Sequence, residues 1–187
     1  MMKRIFDLIL AVTVTAVLFI PAMIIALLVS LTSDGPVLYW SERVGLNNRM
    51  FRMPKFRTMT IHTPVIATHL IQNPDDYITP IGRFLRKSSL DEIPQLYNIV
   101  KGDMSFVGPR PALFNQYDLI ELRTTKGIHK IMPGLTGWAQ INGRDELPIP
   151  IKVEHDEFYK NNISFLFDLK ILFKTVLKVL NKEGVTH

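Results

Sequence analysis

From Leu8 to Leu31 the chain is apolar apart from Thr13, Thr15 and Ser30. An α-helix needs roughly 20 such residues to cross the hydrocarbon core of a bilayer, so the plain reading of this run is a membrane span. A secretory signal peptide fits less well, because the run is too long and Leu31-Thr-Ser-Asp34 lacks a small-x-small cleavage pattern. Pro21 lies mid-run, where it removes an intrahelical hydrogen bond and crowds the preceding turn, so a bend is expected there. Both flanks are basic: Lys3 and Arg4 precede the run, and Arg43, Arg49, Arg52, Lys55 and Arg57 follow it. Lys and Arg near membrane segments favour the cytoplasmic side. A helix that crosses once cannot put both flanks there, whereas one that bends at Pro21 and returns can. The charge pattern therefore leans towards re-entry.

The remainder reads as a cytosolic domain of ordinary size within a chain of 187 residues. We divide the chain into a membrane-anchoring helix over 1–34 and a second domain over 35–187. Without cysteine, disulfide scaffolds, thiolate zinc sites and cysteine nucleophiles are excluded. Val37–Glu42 and Met50–Phe56 are expected strands around the turn Gly45-Leu-Asn-Asn48. Residues 61–80, with three prolines, read as a loop holding one short helix. Helices are expected over Asp91–Val100, with Pro94 in the first turn and Gly102 beyond the end, and over Ala112–Thr124. Gly108-Pro-Arg-Pro111 must be extended or turned, and Pro133–Gly137 and Asn142–Arg144 read as turns. Over Ile163–Lys182, lysines 170, 174, 178 and 182 recur every four residues among apolar ones. That suits a helix lying in the membrane interface, or equally a core helix with a solvated lysine edge.

The five histidines show no paired ligand spacing, and Glu154-His155-Asp156-Glu157 reads as a solvated acidic turn before a helix rather than a cation site. Neither nucleotide-binding glycine fingerprint is present, nor a Gly-x-Ser-x-Gly elbow. Ser89-x-x-Glu92 matches a capping box, which alone would explain these residues as a helix start. Starting the helix near Asp91 places Asp91 and Glu92 at the positive end of its dipole, where a carboxylate, a divalent cation and phosphate are all favoured. Lys55, Arg57, Arg86, Arg110 and Arg144 stand in turn- or proline-fixed contexts, and arginine's planar fork matches phosphate oxygens. Nucleic acid is the generic partner of a chain with pI near 9.5. A net charge of only +5 beside a membrane anchor fits anionic lipid or a phosphorylated small molecule better.

Six motifs stand in an order that resembles the bacterial sugar transferases, the monotopic phosphoglycosyl transferases: Lys55-Phe-Arg-Thr-Met59, Ile81-Gly-Arg-Phe-Leu-Arg86, Ser89-Leu-Asp-Glu-Ile-Pro-Gln-Leu96, Gly102-Asp-Met-Ser-Phe-Val-Gly-Pro-Arg-Pro111, Pro133-Gly-Leu-Thr-Gly137 and Gln140-Ile-Asn-Gly-Arg144. The resemblance runs from the N-terminal helix to about Lys182 and matches the minimal form of the family. It implies an α+β, predominantly helical fold with a re-entrant membrane helix bent at Pro21, a short β-hairpin and interfacial amphipathic helices around a compact cytosolic domain. It implies that the domain over 35–187 is catalytic and transfers a sugar phosphate from a UDP-sugar to polyprenol (undecaprenyl) phosphate, releasing UMP, as the first membrane step of glycan assembly. Asp91 would be the nucleophile of a ping-pong reaction, forming a phosphosugar–aspartyl intermediate. Glu92 would accept a proton from the incoming phosphate, and Mg²⁺ near Asp91 would neutralise the donor diphosphate. Lys55, Arg86, Arg110 and Arg144 would hold phosphates. The expected place is the cytoplasmic face of the bacterial inner membrane, with membrane lipid as a partner and no nucleic acid; no motif specifies an oligomeric state.

The sequence departs from the family at three places. Ile20-Pro21 stands where relatives often have Ser-Pro, Asn73–Tyr77 lacks an arginine common in relatives, and Leu147-Pro-Ile-Pro150 occupies a variable region expected to shape the sugar pocket. The rival from another class is a non-catalytic membrane adaptor that binds polyprenyl phosphate or a partner glycosyltransferase. An adaptor has no need of the Asp91-Glu92 dyad.

Overall fold

The computed structural model describes residues 2–64, 73–143 and 147–180. The apolar run forms one long helix, α1 (Met2–Thr32), with Pro21 inside it. At 1.5 Å per residue such a helix is about 46 Å long, more than the bilayer core requires. One stripe of α1 faces protein. Asp7, Ala11, Ile25 and Val29 are buried, while Leu10, Val14, Ala22 and Ala26 pack beside them. These positions follow the three-and-four spacing of a helix face, so the seam continues on both sides of Pro21. The opposite face, including Val17, Phe19, Ile20, Ile24 and Leu27, is exposed.

Both ends of α1 hold the same domain. The Lys3 ammonium donates to the Val107 carbonyl (3.0 Å), the Tyr159 hydroxyl (3.1 Å) and Asp168 (2.5 Å). Arg4 donates to the carbonyls of Ile99 and Val100, and Asp7 accepts from the Phe106 N–H. At the far end, Ile25 and Val29 join Phe56 and Leu85 in one apolar cluster. Beyond it, Arg57 is buried and donates to the Asp34 carbonyl.

The expected hairpin is present and longer than the sequence suggests: β1 (Leu38–Val44) pairs antiparallel with β2 (Met50–Phe56), register Leu38↔Phe56 to Val44↔Met50. Asn47 and Asn48 turn it with φ of 53° and 58°, a left-handed conformation that asparagine tolerates. Two expectations change here. Ala112–Leu113, expected to open a helix, is a short strand, β4, on the free edge of β1, so the helix α4 begins only at Tyr117 and runs to Thr125. The extended backbone imposed by Pro111 carries into that pairing. Gly134–Thr136, expected as a turn, is strand β5, parallel to β3 (Ser105–Val107). Between β2 and β3 lie α2 (Gly82–Ser88) and α3 (Leu96–Lys101), and α5 (Trp138–Ile141), α6 (Ile149–Asn161) and α7 (Phe165–Leu180) follow β5. The fold is mostly helical, with a small sheet and one long apolar N-terminal helix.

The stretch Glu154–Glu157 is not a turn before a helix but the middle of α6, which Pro150 opens in its first turn. Asp156 is buried there. In α7, Asp168 and Ile171 face the domain, with Phe167, Leu172 and Thr175 half-buried beside them. Leu166, Leu169, Phe173, Val176 and Leu177 point outward with Lys170 and Lys174. The apolar residues of α7 therefore divide, Phe167, Ile171 and Leu172 meeting the core and the others pointing outward. Lys182 lies outside the described residues, as does much of the loop before Asn73, where Pro74–Tyr77 forms a single 3₁₀ turn.

Candidate active site

The segment expected as one helix from Asp91 to Val100 is a 3₁₀ turn, Leu90–Gln95, followed by α3. Pro94 lacks the N–H that would continue an α-helical ladder, and the tighter turn accommodates it. Ser89 links α2 to this turn with φ of 57° and makes no side-chain cap bond. Glu92 turns instead towards two cations, so Ser89 and Glu92 do not form the capping box their spacing permits. A turn this short has little macrodipole. The field at the carboxylates comes from side chains.

Those side chains arrive from three elements. Lys55, near the end of β2, places its ammonium 2.7 Å from Glu92 Oε1 and 3.7 Å from Asp91 Oδ2. Arg110 donates from Nη2 to the same Glu92 oxygen at 2.6 Å, with Nη1 3.5 Å from Oε2. Arg86, in the last turn of α2, adds positive potential at Asp91. Of the residues expected to hold phosphate, the structure thus brings Lys55, Arg86 and Arg110 to one dyad. Arg144 lies outside the described residues. Arg57 belongs to the clasp on the end of α1.

The two carboxylates differ. Burial acts to raise Glu92, but Arg110 and Lys55 outweigh it and hold that carboxyl well below the usual carboxylate range. Asp91 is only 7% exposed and has no hydrogen bond from the described residues, its nearest cation being Lys55. Burial, with the like charge of Glu92, pushes its carboxyl up against the pull of Lys55, Arg110 and Arg86. One carboxylate is locked as an anion between cations. The other is desolvated and accepts no hydrogen bond from the described residues.

Packing sets the backbone around them. Leu90 and Ile93 flank the dyad and rest on the half of α1 after Pro21, in the cluster of Ile25 and Val29. The carboxylates are thereby fixed beside the apolar helix α1. Arg110 is mounted on the Gly108–Pro111 stretch, which the β3–β5 pair presses close to Gly134 and Gly137. A Cβ at Gly137 would lie 2.1 Å from the Gly108 carbonyl oxygen, an approach only glycine permits. The Gly108 N–H donates to Thr136 O and the Gly134 N–H to Pro109 O, both at 2.9 Å.

Among the described residues no three His, Asp or Glu side chains converge on a metal position. Mg²⁺ is commonly held by one or two carboxylates together with substrate phosphates. Asp91 has the right chemistry for a cation shared with a bound diphosphate, and Glu92 is already engaged by Lys55 and Arg110.

Sequence reasoning passed over Arg123 and Asp156, a buried pair behind Arg110. Four residues within an apparently acidic, exposed run gave no signal of it, because only the α4–α6 packing turns Asp156 inward.

Comparison with known proteins shows the family. The chain is 43% identical over 187 residues to the sugar transferase EpsL of Bacillus subtilis, named as uncharacterized, covering 98% of this chain and 90% of EpsL. It is 41% identical to the UDP-glucose:undecaprenyl-phosphate glucose-1-phosphate transferase of Escherichia coli, over 95% of this chain and 40% of that protein. It is 39% identical to the UDP-N-acetylgalactosamine-undecaprenyl-phosphate N-acetylgalactosaminephosphotransferase of Aeromonas hydrophila, over 94% of this chain and 43% of that protein. The chain thus spans less than half the length of these last two relatives. The model of the bacterial sugar transferase family matches residues 1–182, and the chain belongs to that family.

Proposed function

We propose that this chain is a phosphoglycosyl transferase that moves a sugar 1-phosphate from a UDP-sugar to undecaprenyl phosphate and releases UMP. The observation that carries the reading is the buried Asp91 carboxylate, which accepts no hydrogen bond from the described residues and is set among Lys55, Arg86 and Arg110, in a member of the sugar transferase family. Relatives named as undecaprenyl-phosphate sugar phosphotransferases support the donor and acceptor classes.

The reaction proceeds in two displacements. An Asp91 carboxylate oxygen attacks the sugar-bearing phosphorus; the bond from that phosphorus to the bridging oxygen breaks, and UMP leaves with the electron pair. A phosphate oxygen of undecaprenyl phosphate then attacks the same phosphorus, forming the lipid diphosphate sugar and restoring the carboxylate. Splitting one difficult displacement in this way is what a positioned nucleophile offers. Lys55, Arg86 and Arg110 hold phosphate oxygens and offset the charge that develops on them, and Arg144 is assigned to the same task. Glu92 keeps Lys55 and Arg110 aimed at the phosphates, and to accept a proton from the acceptor it must release one of them. Asp91 would hold Mg²⁺, which when bound would supply Lewis-acid neutralisation of the leaving group.

The seam along α1 supports re-entry from one face. Lys3 and Arg4 at one end and Ile25 and Val29 at the other grip a single domain, which a helix crossing the bilayer once could not do with one domain on one side. With basic flanks, that side is the cytoplasmic one, and the outward apolar face of α7 with its lysines lies in the same interface. The 1–34 segment then acts as anchor and the rest as catalytic domain. The test is Asp91→Asn in lipid nanodiscs with UDP-sugar, Mg²⁺ and undecaprenyl phosphate. UMP release should vanish while membrane association persists, and wild-type protein given donor alone should show a phosphosugar adduct on the peptide carrying Asp91. Turnover retained by the variant would overturn the covalent route.

A further inference from the structure

Prolines on either side of Arg110 limit its backbone to extended conformations, but they leave the flanking peptide planes free to tilt. Those planes and their neighbours are held from outside, the Pro109 carbonyl by the Gly134 N–H at 2.9 Å. The Val107 carbonyl accepts from Lys3 at 3.0 Å. The Pro111 carbonyl accepts from Arg43 at 3.2 Å. The Arg110 carbonyl itself accepts from Arg123 Nη1 at 2.8 Å, while Arg123 Nε and Nη2 grip Asp156 Oδ2 at 2.9 and 2.6 Å. Arg123 is 8% exposed and Asp156 1%.

The chemistry of this pair argues against stability as its purpose. Removing two charges from water costs nearly as much as their attraction returns, so a buried ion pair is a weak source of folding energy. It does supply direction. One edge of the guanidinium is locked on a carboxylate carried by α6, which leaves the other edge aimed at the carbonyl of the residue whose side chain grips Glu92. Lys126 with Glu157 (2.6 Å) and Lys160 with the Lys126 carbonyl (2.6 Å) tie α4 to α6 alongside, so the mount is rigid.

We infer that Arg123 and Asp156 are positioning residues for the transfer reaction, which act by fixing the backbone of Arg110 so that its guanidinium meets Glu92 and the donor phosphates. The inference rests on the proposed role of Arg110 in holding phosphate.

The test is a double-mutant cycle on UMP release by the full chain in nanodiscs. Arg123→Met should lower kcat/KM roughly 100-fold in the wild-type background but less than about threefold when Arg110 is already alanine, because residues acting through one another are not additive. Equal losses in both backgrounds would show a merely structural role and overturn the proposal. Arg123→Lys should recover part of the loss. Should Arg123→Met not fold, Asp156→Asn, which keeps the shape and an acceptor, carries the same cycle. Side-chain NMR of the arginine Nε–Hε groups reads the geometry without turnover. The Arg110 signal should move towards that of an unrestrained arginine in Arg123→Met, as it should in Glu92→Gln. An unchanged Arg110 signal in the folded variant would overturn the inference whatever the activity. A wild-type chain that releases no UMP from any UDP-sugar, with an Arg110 signal that still answers to Arg123, would refute the proposed activity and leave the positioning intact.

Discussion

Lys55→Met removes the one ammonium that touches both carboxylates while keeping most of the side-chain stem. In the structure this charge lies 2.7 Å from Glu92 and 3.7 Å from Asp91, with the lysine side chain 18% exposed. Two unit charges near 4 Å interact by about 4 kcal/mol at an effective dielectric of 20. Only part of that is lost, because the variant no longer bears the cost of desolvating an ammonium and Arg110 still holds Glu92. Truncating one member of a close, partly buried pair typically costs about 2–5 kcal/mol. With Arg110 retained, the lower part of that range, about 2–3 kcal/mol of transition-state stabilisation, corresponds to a loss of roughly 30- to 150-fold in kcat/KM. The assay is UMP release with saturating undecaprenyl phosphate, run beside a thermal melt. Lys55→Arg should be milder than Lys55→Met, since the charge persists while the point-like ammonium becomes a fork. A Lys55→Met enzyme within threefold of wild type, at an unchanged melting temperature, would refute the view that this cation supports the reacting phosphates.

Other perturbations test the scaffold. Leu85→Ala empties a fully buried position between α2 and the second half of α1. It should cost about 2–5 kcal/mol, seen as a lowered melting temperature in nanodiscs. Gly137→Ala drives a Cβ into the Gly108 carbonyl, so the β3–β5 pair must part. A stability loss of at least about 1–3 kcal/mol, with weakened UMP release as Arg110 shifts, is expected from melts and kinetics together. Phe173→Ser with Leu177→Ser removes outward-facing apolar groups from α7 and should weaken vesicle flotation of the isolated protein while leaving its circular dichroism unchanged. Tyr159→Phe deletes a hydroxyl that donates to Asp168 at 2.7 Å and accepts from Lys3, and a cost of about 1–3 kcal/mol in the melt is expected.

Much of the site was legible because it is local. Asp91 and Glu92 are neighbours, the prolines flanking Arg110 restrict it whatever surrounds them, and an apolar run of this length has few physical destinations. Six ordered motifs carried the family. The errors share a cause. Ala112–Leu113 and Gly134–Thr136 are strands only because β1 and β3 offer them edges, and short segments have no pattern that announces a distant partner. The capping box failed because Glu92 found two cations closer in energy than a backbone N–H, and both come from residues far along the chain.

The amino-acid order by itself determined an apolar anchor, a hairpin, an acidic dyad and a set of backbone-restrained arginines, since each depends on neighbours along the chain. The tertiary structure alone decided that both ends of α1 grip one domain, that Glu92 is clamped while Asp91 accepts no hydrogen bond from the described residues, and that Asp156 turns inward to hold Arg123. Those outcomes turn on which charges and surfaces meet across large separations in sequence, where desolvation and Coulomb attraction act through space.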